Sequence, residues 1–161
     1  EIWVRGPQVM KGYWRNDVAT AESIDAEGWF KSGDAGYLRE GFLFIHDRVK
    51  DMIISGGENI YPAEIENVLM SHAAISDAAV IGVPDDRWGE TVKAVITPAA
   101  TEDGEALTEE AVFSYCRKNL ASYKCPTSVD WMETIPRNPS GKILKTELRK
   151  PYWAGRERNV S

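Results

Sequence analysis

Short apolar runs and helical patterns alternate along most of this chain, and the rhythm sets in abruptly after His46-Asp47-Arg48. Residues 49–54 read as a strand that Ser55-Gly56-Gly57 breaks. Pro62 suits the first turn of a helix running through Ile65, Val68 and Leu69, with Glu64 and Glu66 near its positive end. Residues 78–83 form a buried-type strand that Pro84-Asp85-Asp86 ends, and residues 92–97 form another. Thr108 is placed to N-cap a helix reaching Leu120, with Glu109 and Glu110 in its first turn. A strand over 129–135, a Pro/Gly loop and a short helix over 146–152 complete the series. Strands and helices joined by short links imply a small α+β sandwich over residues 48–161.

Residues 1–47 read differently. They are β-rich, with Ile2, Val4, Tyr13, Trp14, Trp29 and Phe30 set between Gly and Pro punctuators. Residues 17–24 fit one short helix. Tyr37-Leu38-Arg39 and Phe42-Leu43-Phe44-Ile45 flank Glu40-Gly41, which predicts a β-hairpin. So short a segment makes a poor core of its own. The opening Glu1-Ile2-Trp3-Val4 already reads as a strand with no Met before it, so the chain is expected to start inside a folded unit.

A hydrophobic fraction of 43% is enough for a core, but no apolar run reaches the ~18 residues needed to span a bilayer. The net charge of -6 disfavours a general nucleic-acid binder, although a local site can oppose the global sign. Cys116, Cys125, His46 and His72 lack metal-ligand spacing, so no metal site is expected. Both cysteines read as reduced thiols of a cytoplasmic protein, with peripheral membrane association as a variant. Unpaired strand edges in residues 1–47 could pair with a second copy, which would give a homodimer.

Five places carry chemistry. In Pro136-Arg137-Asn138-Pro139-Ser140-Gly141-Lys142, two prolines restrict the loop and Gly141 lets it turn sharply. Lys142 is then a cation of defined direction, suited to a phosphate or carboxylate oxygen, or else a surface lysine before a helix. The paired Gly56-Gly57 can expose backbone N–H groups near a helix N-terminus, or can simply turn the chain. Asp34, in Lys31-Ser32-Gly33-Asp34, could accept hydrogen bonds from ribose hydroxyls or serve as a turn residue. Arg48 could reach the same ribose, or pair with Asp47 or Asp51. Trp88 could stack on a base with Arg87 near a phosphate, or cover the core.

The order and spacing of these segments resemble the end of the adenylate-forming superfamily, which includes acyl- and aryl-CoA synthetases, peptide-synthetase adenylation domains and luciferases. Gly12-Tyr13-Trp14 with Ala19-Thr20, the run 29–34, Asp47-Arg48-Val49-Lys50-Asp51, SGGENIYPAEIE over 55–66, Tyr123-Lys124-Cys125-Pro126 and the loop 136–142 all take part. The wording of 55–66 is closest to medium- and long-chain fatty acyl-CoA ligases. The resemblance implies the small C-terminal domain of such an enzyme, preceded by the last piece of its large N-terminal domain. It implies that Asp34 and Arg48 bind the nucleotide ribose and that Lys50 is a hinge. By the same resemblance Lys142 contacts the substrate carboxylate and α-phosphate, Gly56 and Gly57 line a pantetheine tunnel, and Trp88 lies near the CoA adenine.

The reaction so implied forms an acyl-adenylate from a carboxylic acid, expected to be fatty, and ATP with Mg2+, then transfers the acyl group to CoA. Most contacts to these co-substrates would come from the missing N-terminal domain, so the fragment alone is expected to be inactive. Thr127 stands where relatives often carry a basic residue, which weakens the expectation of a phosphate contact there. A domain that loads a carrier protein, and a non-catalytic module that keeps the fold, are the competing readings.

Overall fold

The computed structural model describes residues 1–100, 106–156 and 158. The chain folds as two compact units, Glu1–Lys50 and Asp51–Ser161.

In the first unit, β1 (Trp3–Val4) pairs antiparallel with β2 (Phe30–Lys31). Between them lies α1 (Asp17–Ser23), close to the helix expected at 17–24. The Asn16 side chain caps it by accepting from the Ala19 N–H at 3.0 Å. The expected hairpin is present as β3 (Asp34–Arg39) and β4 (Phe42–Arg48). Glu40 and Gly41 form its two-residue turn with φ of 53° and 82°. Two positive φ values twist the turn in the sense that antiparallel strands require. Leu38, Phe42 and Ile45 on this hairpin are exposed.

The second unit has three layers. Its sheet runs β6 (Glu58–Ile60), β5 (Ile53–Ser55), β8 (Gly89–Pro98), β7 (Ile75–Asp85). Strand β9 (Ser128–Trp131) pairs parallel with β8 from Lys93 to Ile96. A parallel partner needs a crossover, and the connection from β8 to β9 carries α3 (Glu109–Asn119). On one face, α2 (Pro62–Met70) and α3 bring Ile65, Leu69, Val112 and Cys116 against Ala78, Val80, Ala94 and Ile96. On the other, Leu148 of α4 (Lys145–Trp153), with Ile135, covers Ala79, Ile81, Val83 and Val95. Both sheet faces are buried, which is why 78–83 is a continuous apolar run rather than an alternation.

Four expectations need correction. The strand expected over 49–54 is a 3-10 turn, Val49–Asp51, followed by β5; Asp51 turns inward to Arg149 at 2.9 Å. The strand expected over 78–83 runs from Ile75 to Asp85, through Pro84. β7 is an edge strand whose Val80 N–H points outward to Glu66, and Pro84 falls in the same outward set, so no ladder bond is lost there. The strand expected over 92–97 likewise extends to Gly89–Pro98. The strand expected over 129–135 stops at Trp131, where its pairing with β8 ends. Pro62 begins α2, and Thr108 caps α3 by accepting from Ala111 N–H at 3.2 Å, as the sequence implies.

Candidate functional site

In the first unit, Asp34 and Arg48 are cross-strand partners where β3 and β4 open away from their turn. Arg48 Nε lies 2.7 Å from Asp34 Oδ1. The Arg48 guanidinium thus pairs with Asp34, while Asp47 Oδ1 accepts from the Arg48 backbone N–H and Asp51 meets Arg149. Gly33 adopts φ +74°, and its carbonyl accepts from Val49 N–H at 2.8 Å, which ties the motif 29–34 to the end of β4. Lys50 is the last residue of this unit and lies within the 3-10 turn.

In the second unit, Gly56 and Gly57 are not the strand-to-helix turn that the sequence suggests. They form the two-residue turn between β5 and β6, with φ of 58° and 87°. The Gly56 N–H donates to the Trp88 carbonyl at 2.9 Å. A Cβ on Gly56 would lie 2.8 Å from the indole, whereas one on Gly57 would meet nothing within 4 Å. Trp88 is half exposed and carries the Arg87 guanidinium 4.5 Å from its ring. Asp85 Oδ1 accepts from both the Arg87 and Trp88 N–H groups and holds this tip of the β7–β8 hairpin. Trp88, Gly56, Tyr123, Cys125 and Thr127 line a cleft of about 320 Å³. Thr127 shares a 2.9 Å hydrogen bond with Thr91 there, so this wall carries hydroxyls where a cation would be needed for a phosphate.

Lys142 is exposed, and among the described residues its ammonium has no ion pair. Its backbone is tightly held. Asn138 Oδ1 accepts from Lys142 N–H at 2.8 Å and from Ser140 N–H at 3.1 Å. Arg137 donates from Nη1 to the Gly141 carbonyl at 2.8 Å and from Nη2 to both oxygens of Asp77. Asp77 and Trp88 mark opposite ends of the β7–β8 hairpin, about 25 Å apart along the strand. The Lys142 loop and the Trp88 cleft therefore occupy two ends of one sandwich. The roles of Asn138, Arg137 and Asp77 escaped the sequence reading. The prolines and Gly141 drew attention to the loop, but Asp77 lies sixty residues away.

Behind β9, Lys93, Asp130 and Tyr152 form a polar cluster beside a mostly apolar cavity. Burial pushes the Asp130 carboxyl up, but hydrogen bonds from Lys93 and Tyr152 outweigh it and leave it below its usual range. Burial and the bond to Asp130 push the Tyr152 hydroxyl up to about 12. Cys116 and Cys125 are free thiols, and burial raises both, Cys116 to about 11. Among the described residues no three His, Cys, Asp or Glu converge to hold a metal, and no helix is long and apolar enough to cross a membrane.

A long-chain-fatty-acid–CoA ligase of Mycobacterium tuberculosis is 47% identical over 155 residues, covering 96% of this chain and 30% of the relative. A feruloyl-CoA synthase of Amycolatopsis is 50% identical over 153 residues, covering 94% and 30%. The o-succinylbenzoate CoA synthetase of Bacillus subtilis, solved with its acyl-adenylate intermediate, superposes with a TM-score of 0.83 at 44% identity, over 92% of this chain and 30% of that one. The chain thus spans about 30% of the length of the relatives it matches. Residues 64–142 match the model of the AMP-binding enzyme C-terminal domain. The chain carries this domain and shares its α+β fold with the corresponding part of those CoA ligases.

Proposed function

We propose that this chain is the mobile part of an AMP-forming acid–CoA ligase and serves both half-reactions from opposite ends of its second unit. The observation that carries the reading is the separation of the exposed Lys142 ammonium from the Gly56–Trp88 cleft on one sandwich. Its relatives are named as CoA ligases, which supports free CoA over a carrier protein as acceptor.

In the first half-reaction a carboxylate oxygen attacks the α-phosphorus of ATP, and the bond to pyrophosphate breaks. Negative charge gathers on the α-phosphoryl oxygens, and Lys142 supplies N–H donors and a positive charge to them. Loss of such a preplaced donor typically costs about 10²–10³-fold in rate. In the second, the CoA sulfur gives up its proton and attacks the acyl carbon, and AMP leaves. Gly56, packed beneath Trp88, lets a narrow chain pass close to the backbone, Gly57 completes the turn that holds it there, and Trp88 offers a flat face for a base. Asp34 and Arg48 bind the ribose in both steps, and Lys50 is the pivot at the edge of the first unit. Among the described residues of this chain no three His, Cys, Asp or Glu converge to hold Mg2+. The remaining contacts to ATP, carboxylate and CoA come from a large partner domain. The exposed Leu38, Phe42 and Ile45 of the β3–β4 hairpin support such a covering body. The free thiols support a cytoplasmic setting.

The test is carboxylate-dependent pyrophosphate release. The full-length protein containing this chain is expected to show it, and the isolated 161-residue chain is not. Turnover by the isolated chain, or none by the full-length protein with any of a panel of fatty and aryl acids, contradicts the reading.

A further inference from the structure

We infer that Asp77 and Arg137 are positioning residues for Lys142, which they aim through the Gly141 carbonyl without touching substrate. The inference rests on the proposed adenylation role of Lys142 and deepens it.

An exposed lysine has a long flexible stem, so its charge has a defined place only if its Cα is fixed. Inside the loop, Asn138 does part of this. Its backbone N–H donates to the Lys142 carbonyl at 2.9 Å, its carbonyl accepts from Gly141 N–H at 2.9 Å, and its side chain accepts from Lys142 N–H. These bonds make the turn rigid, and Ile135 and Ile143 pack its two ends on the core, but they leave its polar outer part without a link to the Asp77 end of β7. Arg137 supplies that connection. One guanidinium nitrogen holds the carbonyl that precedes Lys142, and the other grips both Asp77 oxygens at 2.8 and 2.7 Å. Asp77 stands in β7 opposite Thr97, and its Oδ1 also accepts from Ala78 N–H at 3.0 Å, so its carboxylate is oriented by the sheet. A planar fork is the one cationic side chain that makes these bonds at once. Lysine at 137 keeps the charge and loses the bridge.

A surface ion pair of ordinary kind contributes little to stability. Here it also ties this loop to β7. Its loss shifts the lysine rather than the fold, and a displacement of about 1 Å at a reacting centre can cost about 10²-fold in rate.

The experiment measures the two half-reactions separately in the full-length protein, with Asp77→Asn, Arg137→Lys and Lys142→Ala singly and Asp77→Asn combined with Lys142→Ala. Asp77→Asn and Arg137→Lys are each expected to slow adenylate formation about 10–100-fold. Transfer of the acyl group from supplied acyl-adenylate to CoA is expected to stay within about twofold, because that step does not use Lys142. Once Lys142 is alanine, Asp77→Asn is expected to cost nothing further, because groups acting through one residue are not additive. Equal loss in both half-reactions, additive loss in the double variant, or no loss in either single variant overturns the inference. If Lys142→Ala itself leaves adenylation unchanged, it is the functional reading that fails.

Discussion

Alanine at Gly56 and at Gly57 poses two different problems to the same turn, and the difference isolates the role of the Trp88 cleft. Both glycines are left-handed, with φ of 58° and 87°. Alanine in that region costs roughly 1–2 kcal/mol at either position. At Gly57 the new methyl group enters open space, so backbone strain is the whole effect. At Gly56 it would also lie 2.8 Å from Trp88 Cε3, a separation that forces the indole or the turn to move. The two variants should therefore have similar denaturation midpoints, with Gly56→Ala lower by at most about 1 kcal/mol, since the half-exposed indole can give way. Their kinetics should diverge. Gly56→Ala is expected to slow thioester formation from supplied acyl-adenylate and CoA by about 10–100-fold, as a misplaced substrate channel does. Gly57→Ala should stay within about threefold of the parent, because its methyl group leaves the wall of the cleft in place. Adenylate formation should be spared in both, because the Lys142 loop sits at the other end of β7. Equal thioester defects in both variants, or a matching adenylation defect in Gly56→Ala, would refute the reasoning.

Other outcomes follow from the same geometry. Arg149→Met strands the buried Asp51 carboxylate and is expected to lower stability by about 3–5 kcal/mol in urea denaturation, whereas Arg149→Met with Asp51→Leu should recover most of it. Asp34→Ala should raise KM for ATP by about 10-fold or more with little effect on CoA, since it removes a charged hydrogen-bond acceptor. Cys116 keeps its proton in the fold up to about pH 11 against an ordinary value of 9.0. Its raised value means that this contribution is complete below pH 9 and is lost as pH climbs through that window. Urea midpoints should fall over that range, and Cys116→Ala should flatten that part of the fall.

Much of the architecture was legible because it rests on local rules. Thr108 followed by two glutamates sets the start of α3, Pro62 sets that of α2, and Glu40-Gly41 sets the hairpin turn. The three-residue strand β6 was missed because Glu58-Asn59-Ile60 after two glycines has too little periodicity to register. Pro84 reads as a stop because a sequence does not say which strand is an edge. The site was legible as separate pieces. Asp34 and Arg48 each read as candidates for one ribose, yet their own ion pair depends on the register of β3 and β4. The Arg137–Asp77 bridge and the Asp51–Arg149 pair join residues 60 and 98 positions apart, and no local pattern encodes either.

The most direct measurement replaces Lys142 with alanine in the full-length protein and follows each chemical step by single turnover. Adenylate formation from ATP and acid is expected to fall about 10²–10³-fold while CoA's consumption of ready-made acyl-adenylate holds steady. If both steps fall together, or neither does, one lobe does not serve two reactions from two ends.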